Sequence, residues 1–216
     1  MFDTNSTNVK ELDIMGTIRD GIEIGIKNIG PILVNLLLWV LTIWIPYINV
    51  GTTIGLLVGV VSKASKGEDI PFTEIFDAKY RKYMGEYFLT CGLISIGVGV
   101  GFIFFIIPGI VISIAWCFAP LLAIDKGKNP SEAITISNNI TYGNKGRMFC
   151  IIFLPALACS VVSLIFNGIG AGIAYATGFY YILAFTTLIS IALSLFFFFI
   201  MIGLQASLYK QLAKDI

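Results

Sequence analysis

The chain has 216 residues, of which 57% are hydrophobic and only 12% charged. Soluble domains usually carry about 25% charged residues, so this composition leaves too little polar surface to cover a water-facing globule and points to lipid as the solvent. The formal charge of +1 gives bulk electrostatics nothing with which to hold a nucleic acid, and the absence of histidine removes the commonest general base, metal ligand and pH switch.

In chain order, residues 1–29 are polar and charged and hold no apolar run that could form a signal-peptide core, which makes the first membrane span the expected insertion signal. Met15, Ile18, Ile22, Ile26 and Ile29 recur at steps of three and four, predicting one amphipathic helix. Residues 28–62 then contain no charged side chain. A charge at the bilayer centre costs roughly 2.5–3.5 kcal/mol, and a spanning helix needs about 20 residues. A 35-residue charge-free block broken at Pro46 therefore predicts a helical hairpin, over 30–62.

Residues 63–86 form a second charged, amphipathic segment, with Phe72, Ile75, Phe76, Tyr80, Tyr83 and Tyr87 on one helical face. Residues 87–124 are again free of charge and break at Pro108-Gly109, predicting hairpin 2. Residues 125–147 form the third charged segment, in which Asn129 before Pro130 predicts a helix start with Glu132 in its first turn. The third charge-free block covers 148–209. One span is expected over 148–166 and a long one from Tyr180 to about Ala213, separated by a glycine-rich stretch from Asn167 to Gly178.

The predicted fold is an all-α integral membrane protein of about six transmembrane helices. They form three hairpins, each preceded by a cytoplasmic amphipathic helix, in a single domain over 1–216. All 14 Lys and Arg fall between or outside the three blocks. If each block is a hairpin, every basic residue faces one compartment, and the positive-inside rule makes it the cytoplasm, with both termini there. The Lys66-Gly67 and Lys126-Gly127 pairs, 60 residues apart and each followed by a Pro and then a Glu, suggest a degenerate internal repeat. The amphipathic segments could lie in the membrane interface or pack under the bundle.

Two stretches carry a family resemblance. Ser65-Lys-Gly-Glu-Asp-Ile-Pro-Phe-Thr-Glu-Ile-Phe76 is one; the other runs from Ile107-Pro-Gly109 through Trp116, Phe118-Ala-Pro120 and Asp125 to Asn129-Pro-Ser-Glu-Ala133. They resemble an uncharacterised prokaryotic family of six-helix membrane proteins that is similar to the membrane domain of some glycerophosphodiester phosphodiesterases. The resemblance implies the helical architecture. It implies no activity, because hydrolysis in that group belongs to a separate catalytic domain.

Small residues four apart mark candidate helix-packing faces: Gly51, Gly55 and Gly59; Gly97 and Gly101; Gly168 and Gly172. Lys79, Arg81, Lys82, Lys126 and Lys128 are candidate binders of anionic lipid headgroups. Glu86 and Asp125 are expected at neighbouring depths. Cys91, Cys117, Cys150 and Cys159 lie in apolar runs without Cys-x-x-Cys spacing and read as small apolar fillers. No catalytic, metal or cofactor residues stand out, and the polar residues inside the blocks are all neutral. Three functions stay open: a non-enzymatic module binding membrane lipids, another membrane protein or its own copies; a channel or transporter for a small solute; and a membrane-embedded lipid enzyme.

Overall fold

The computed structural model describes residues 11–214. The start of the N-terminal segment, with the Asn5-Ser-Thr glycosylation pattern, and residues 215–216 lie outside them. Every regular element among the described residues is helical: α1 (Ile14–Lys27), α2 (Ile29–Thr42), α3 (Pro46–Ile54), a π turn (Gly55–Gly59), α4 (Val60–Lys66), a 3-10 turn (Glu74–Phe76), α5 (Ala78–Lys82), α6 (Met84–Phe104), α7 (Ile106–Ala115), α8 (Ala119–Asp125), α9 (Pro130–Thr141), α10 (Lys145–Thr177) and α11 (Tyr181–Leu212). Five stretches are long and apolar enough to cross a membrane: Pro46–Lys66, Met84–Phe104, Ile106–Asp125, α10 and α11. A sixth arises if α1 and α2, bent by 66° where they meet, are counted together.

The expected breaks fall close to their signals. Pro46 opens α3, where its missing N–H costs nothing. In the second block the chain turns at Phe105, in extended backbone, so Pro108 sits in the first turn of α7 rather than at the break. Asn129 caps α9, its Oδ1 accepting from the Glu132 N–H at 2.9 Å.

Two expectations are corrected. Residues 70–87 do not form one amphipathic helix: the chain makes a 3-10 turn, then the five-residue α5 capped by Asp77, then starts α6 at Met84. The glycine-rich stretch 167–178 is no linker either. It is the last third of α10, which continues through Gly168, Gly170 and Gly172 and stops at Gly178, whose φ of 73° favours glycine. Pro155 also lies inside α10.

The core gathers at the end of the molecule where the charges lie, around Val60, Val61, Leu122, Met148, Ile151, Leu204 and Leu208. Pro46–Lys66 is the central element, with 67% of its most apolar stretch buried, against 6% for α10. The opposite turns are exposed and apolar, with Trp44, Phe105, Ile106 and Tyr180 all facing outward. Long outer helices with exposed apolar flanks are compatible with a membrane protein.

α1 packs along the second half of α11 through Thr17, Gly21 and Gly25, which are buried against Gly203, Leu204 and Ser207. Part of its expected apolar face is thereby turned outward, Met15 and Ile26 being exposed while Ile18 and Ile29 pack at the edge of the core.

Candidate functional site

The glycines of α3 and the π turn prepare the site. Their row does not meet another long helix. It receives the segment that follows α4 instead. A Cβ on Gly51 would lie 2.8 Å from Arg81 Cγ, and one on Gly55 would lie 2.6 Å from Ile75 Cα. One on Gly59 would overlap the Tyr80 ring. Gly97 and Gly101 do pack helix on helix, against Trp116 and Gly109, whereas nothing lies within 4 Å of where a Cβ on Gly168 or Gly172 would be. On α10 it is Gly170 that meets α11, at Thr186.

The inserted segment is fastened by Asn35, which is fully buried on α2. Its Nδ2 donates to Pro31 O at 2.9 Å and Pro71 O at 2.8 Å, and its Oδ1 accepts from the Ile75 N–H at 3.2 Å. This carries Glu74 and Tyr80 into the interior. Glu74 accepts from the Tyr80 hydroxyl and pairs with Lys63 Nζ at 2.7 Å and Lys79 Nζ at 3.4 Å. Burial, helped by the bond to Glu74 and its charge, holds the Tyr80 phenol well above its usual range.

The sign of that shift gives a test. A phenol with a raised pKa in the folded state keeps its proton where the unfolded chain loses it, so its contribution is complete below about pH 10 and falls as pH rises further. We expect wild type and Tyr80→Phe to give the same tyrosinate absorbance while folded up to about pH 11, and to differ by one phenol when unfolded. A difference approaching one phenol between the folded proteins near pH 11 would refute the burial of Tyr80.

Beside this network lies Asp125, the last residue of α8. It accepts from Ser62 Oγ and Lys66 Nζ, each at 2.5 Å, and from the Tyr209 hydroxyl at 3.2 Å. A small cavity of about 90 Å³, lined by Gly59, Ser62, Lys79, Tyr80 and Asp125, separates the two carboxylate networks. On its other side Asp125 forms part of the wall of an open pocket of about 450 Å³. Lys66, Lys126, Lys210 and Lys214 also line it, with Tyr209 and Gln211. Among the described residues, four lysines thus line a concavity with one carboxylate, to which Lys66 is bonded. Lys210 also reaches Asp20 on α1 at 3.4 Å. Three helix ends build this pocket, those of α4, α8 and α11.

Of the basic residues singled out from sequence, only Lys126 reaches this pocket. Lys79 is held by Glu74, by Asp77 at 3.3 Å and over the Tyr80 ring; Lys82 lies over Tyr83. Lys128 pairs with Glu132 at 3.0 Å, and the stem of Arg81 packs at Gly51. Glu86 is exposed and is not among the partners of Asp125. Lys66, Lys210 and Lys214 were missed, although the Lys66-Gly67 and Lys126-Gly127 repeat was a signal for one of them. Both glycines have positive φ, 70° and 61°, just past the ends of α4 and α8, so that Lys66 is the last residue of the one helix and Lys126 the cap of the other. The four cysteines are unpaired thiols, and no cluster of three potential metal ligands occurs among the described residues.

No family model matches this chain, and no curated protein and no solved structure matches it either.

Proposed function

We propose that the protein is a non-enzymatic module of the cell membrane that holds an anionic lipid headgroup in the pocket around Asp125. Its helices cross the bilayer as three hairpins, with both termini and the charged end in the cytoplasm. The observation that carries this reading is the convergence of Lys66, Lys126, Lys210 and Lys214 where three long apolar helices end. A phosphate at the headgroup level would meet several ammonium donors there, each worth about 1 kcal/mol near a membrane surface. Gln211 and the Tyr209 hydroxyl add neutral polar groups to the same wall. The bonded interior polar residues support binding rather than transport, Asn49 Nδ2 alone among the described residues being buried without a partner. Thr42 and Thr52 bond to each other at 2.9 Å, Trp39 donates to Thr53 at 2.8 Å, and Asn35 is saturated, so these groups serve packing.

Native mass spectrometry of the intact protein, with phosphatidylglycerol or phosphatidylcholine as the added lipid, tests the reading. A phosphatidylglycerol adduct should outlast the phosphatidylcholine adduct under activation. Removing two ammonium groups, in Lys126→Ala with Lys214→Ala, should weaken it about 25-fold, or about fivefold per lysine. Equal retention of the two lipids, unaffected by the substitutions, would reject the pocket as a headgroup site.

A further inference from the structure

A separate feature lies away from the lysine pocket, on the flank of the bundle. α7 and α10 run side by side but leave an apolar groove of about 560 Å³ between them. Ile110, Ser113 and Cys117 line one wall, and Phe149, Phe153 and Ala156 the other. Phe149 and Phe153 stack at 4.9 Å between centroids, with their planes only 13° apart, which gives the α10 wall a flat surface. The one hydroxyl of the opposite wall is already satisfied, since Ser113 Oγ donates to Ile110 O at 2.8 Å. The groove therefore offers dispersion contacts and asks for no hydrogen bond. From Phe149 to Ala156 it follows the helix for about 10 Å, starting at the charged end.

The mouth has its own charge. Lys145 lies four residues before Phe149, on the helix face that continues through Ile152, Phe153 and Ala156. Its Nζ donates to Asn138 Oδ1 of α9 at 2.9 Å, a neutral partner, and among the described residues it pairs with no carboxylate. Arg147 differs, being tied to Glu11 at 2.8 Å. Near this end α9 fixes the end of α7, Ser137 and Thr141 both donating to Ala115 O, at 2.8 and 3.4 Å.

We infer that the groove between α7 and α10 seats one acyl chain of a phospholipid from the leaflet at the charged end, with Lys145 holding its phosphate. The occupant follows from chemistry and position. The walls are apolar and belong to two stretches long and apolar enough to cross a membrane, their one hydroxyl is already bonded, and a cation lies one turn from the aromatic pair toward the charged end. A cation over an apolar slot matches an anionic head over an acyl chain. This inference rests on α7 and α10 crossing the bilayer and is independent of the Asp125 pocket.

The test places the full-length protein in nanodiscs with phosphatidylglycerol that carries a photoreactive diazirine in the first half of one acyl chain, and maps the labelled residues by mass spectrometry. Labelling should concentrate on residues 110–117 and 149–156, above the level on the exposed face of α6. Ala156→Trp from one wall and Ser113→Trp from the other should each bring it down to that level. Lys145→Ala should lower labelling about fivefold for the phosphatidylglycerol probe and by less for a phosphatidylcholine probe, whose choline cation already offsets the phosphate charge. Even labelling of every exposed face, indifferent to both tryptophans, would overturn the inference. So would protection of the groove while other faces label, the result expected if a second protein helix occupies it. Labelling nowhere would refute membrane insertion itself, whereas failure of the lysine pocket alone would leave this pattern intact.

Discussion

Gly203→Ala is expected to lower stability by about 3 kcal/mol and to release α1 from α11. A methyl group added to Gly203 would lie 2.0 Å from Gly21 O, 2.6 Å from Gly25 N and 2.9 Å from Gly25 Cα. All three are backbone atoms of one helix, so no side chain can rotate away and the two helices must separate. The reverse view agrees: a Cβ on Gly21 would meet Leu204 Cα at 2.8 Å, and one on Gly25 would meet Phe199 O at 2.6 Å. Separation also breaks the bonds from Ser207 Oγ to Asp20 and from Gln211 Nε2 to Thr17, at 2.8 and 3.2 Å. Alanine is otherwise favoured over glycine inside a helix by about 1 kcal/mol, so intrinsic propensity works against the expected loss. Gly168→Ala is the matched control, because nothing lies within 4 Å of its added methyl, and it should be neutral or stabilising by up to about 1 kcal/mol. Denaturation of both variants in detergent, with hydrogen exchange read over residues 14–27, decides the matter. If Gly203→Ala unfolds with Gly168→Ala and protects α1 as well, the close crossing does not exist.

That crossing also explains what could be read from the sequence and what could not. The charge-free blocks, the break at Pro46 and the cap at Asn129 were legible because each depends on local chemistry: the cost of a charge in lipid, a missing N–H, a side-chain oxygen at a helix start. The orientation of α1 was not. Its period of Met15, Ile18, Ile22 and Ile26 marks a face, but where lipid competes with protein for apolar surface, the face turned to the neighbouring helix can be the one with the smallest side chains. Gly21, Gly25 and Gly203 then do the packing, and none of them lies on the apolar row. The same ambiguity hid the role of Gly51, Gly55 and Gly59. A row of glycines announces a close approach without saying whether a helix or a loop approaches. Here the visitor is the Ile75–Arg81 segment, pinned by Asn35, and a single sequence gives no sign of a bond between positions 35 and 75. The lysine pocket was half legible for a related reason. Lys126 stands in a basic cluster of the sequence, whereas Lys210 and Lys214 join it only because the end of α11 lies beside those of α4 and α8.

The second large effect belongs to Glu74. Glu74→Ala should cost about 3–5 kcal/mol, the usual consequence of removing one partner from a buried ion pair. The Glu74 side chain is 2% exposed and that of Lys63 24%, so the ammonium left behind would be partly solvated, while the Tyr80 hydroxyl, on a residue with no exposed surface, would lose its acceptor in the interior. Lys79 suffers less, because Asp77 still pairs with it. Tyr80→Phe should cost roughly 1.5–3 kcal/mol, the range for a hydrogen bond to a charged group, since Glu74 keeps both lysines. The double variant decides between two accounts of the inserted segment. If Glu74 is held by the network, Glu74→Ala with Tyr80→Phe should cost less than the two single changes added together, because the phenol is no longer left unsatisfied once it is gone. Strict additivity would mean that Glu74 and Tyr80 stabilise the fold separately, and that the anchor of the segment is Asn35 with its three bonds to Pro31, Pro71 and Ile75.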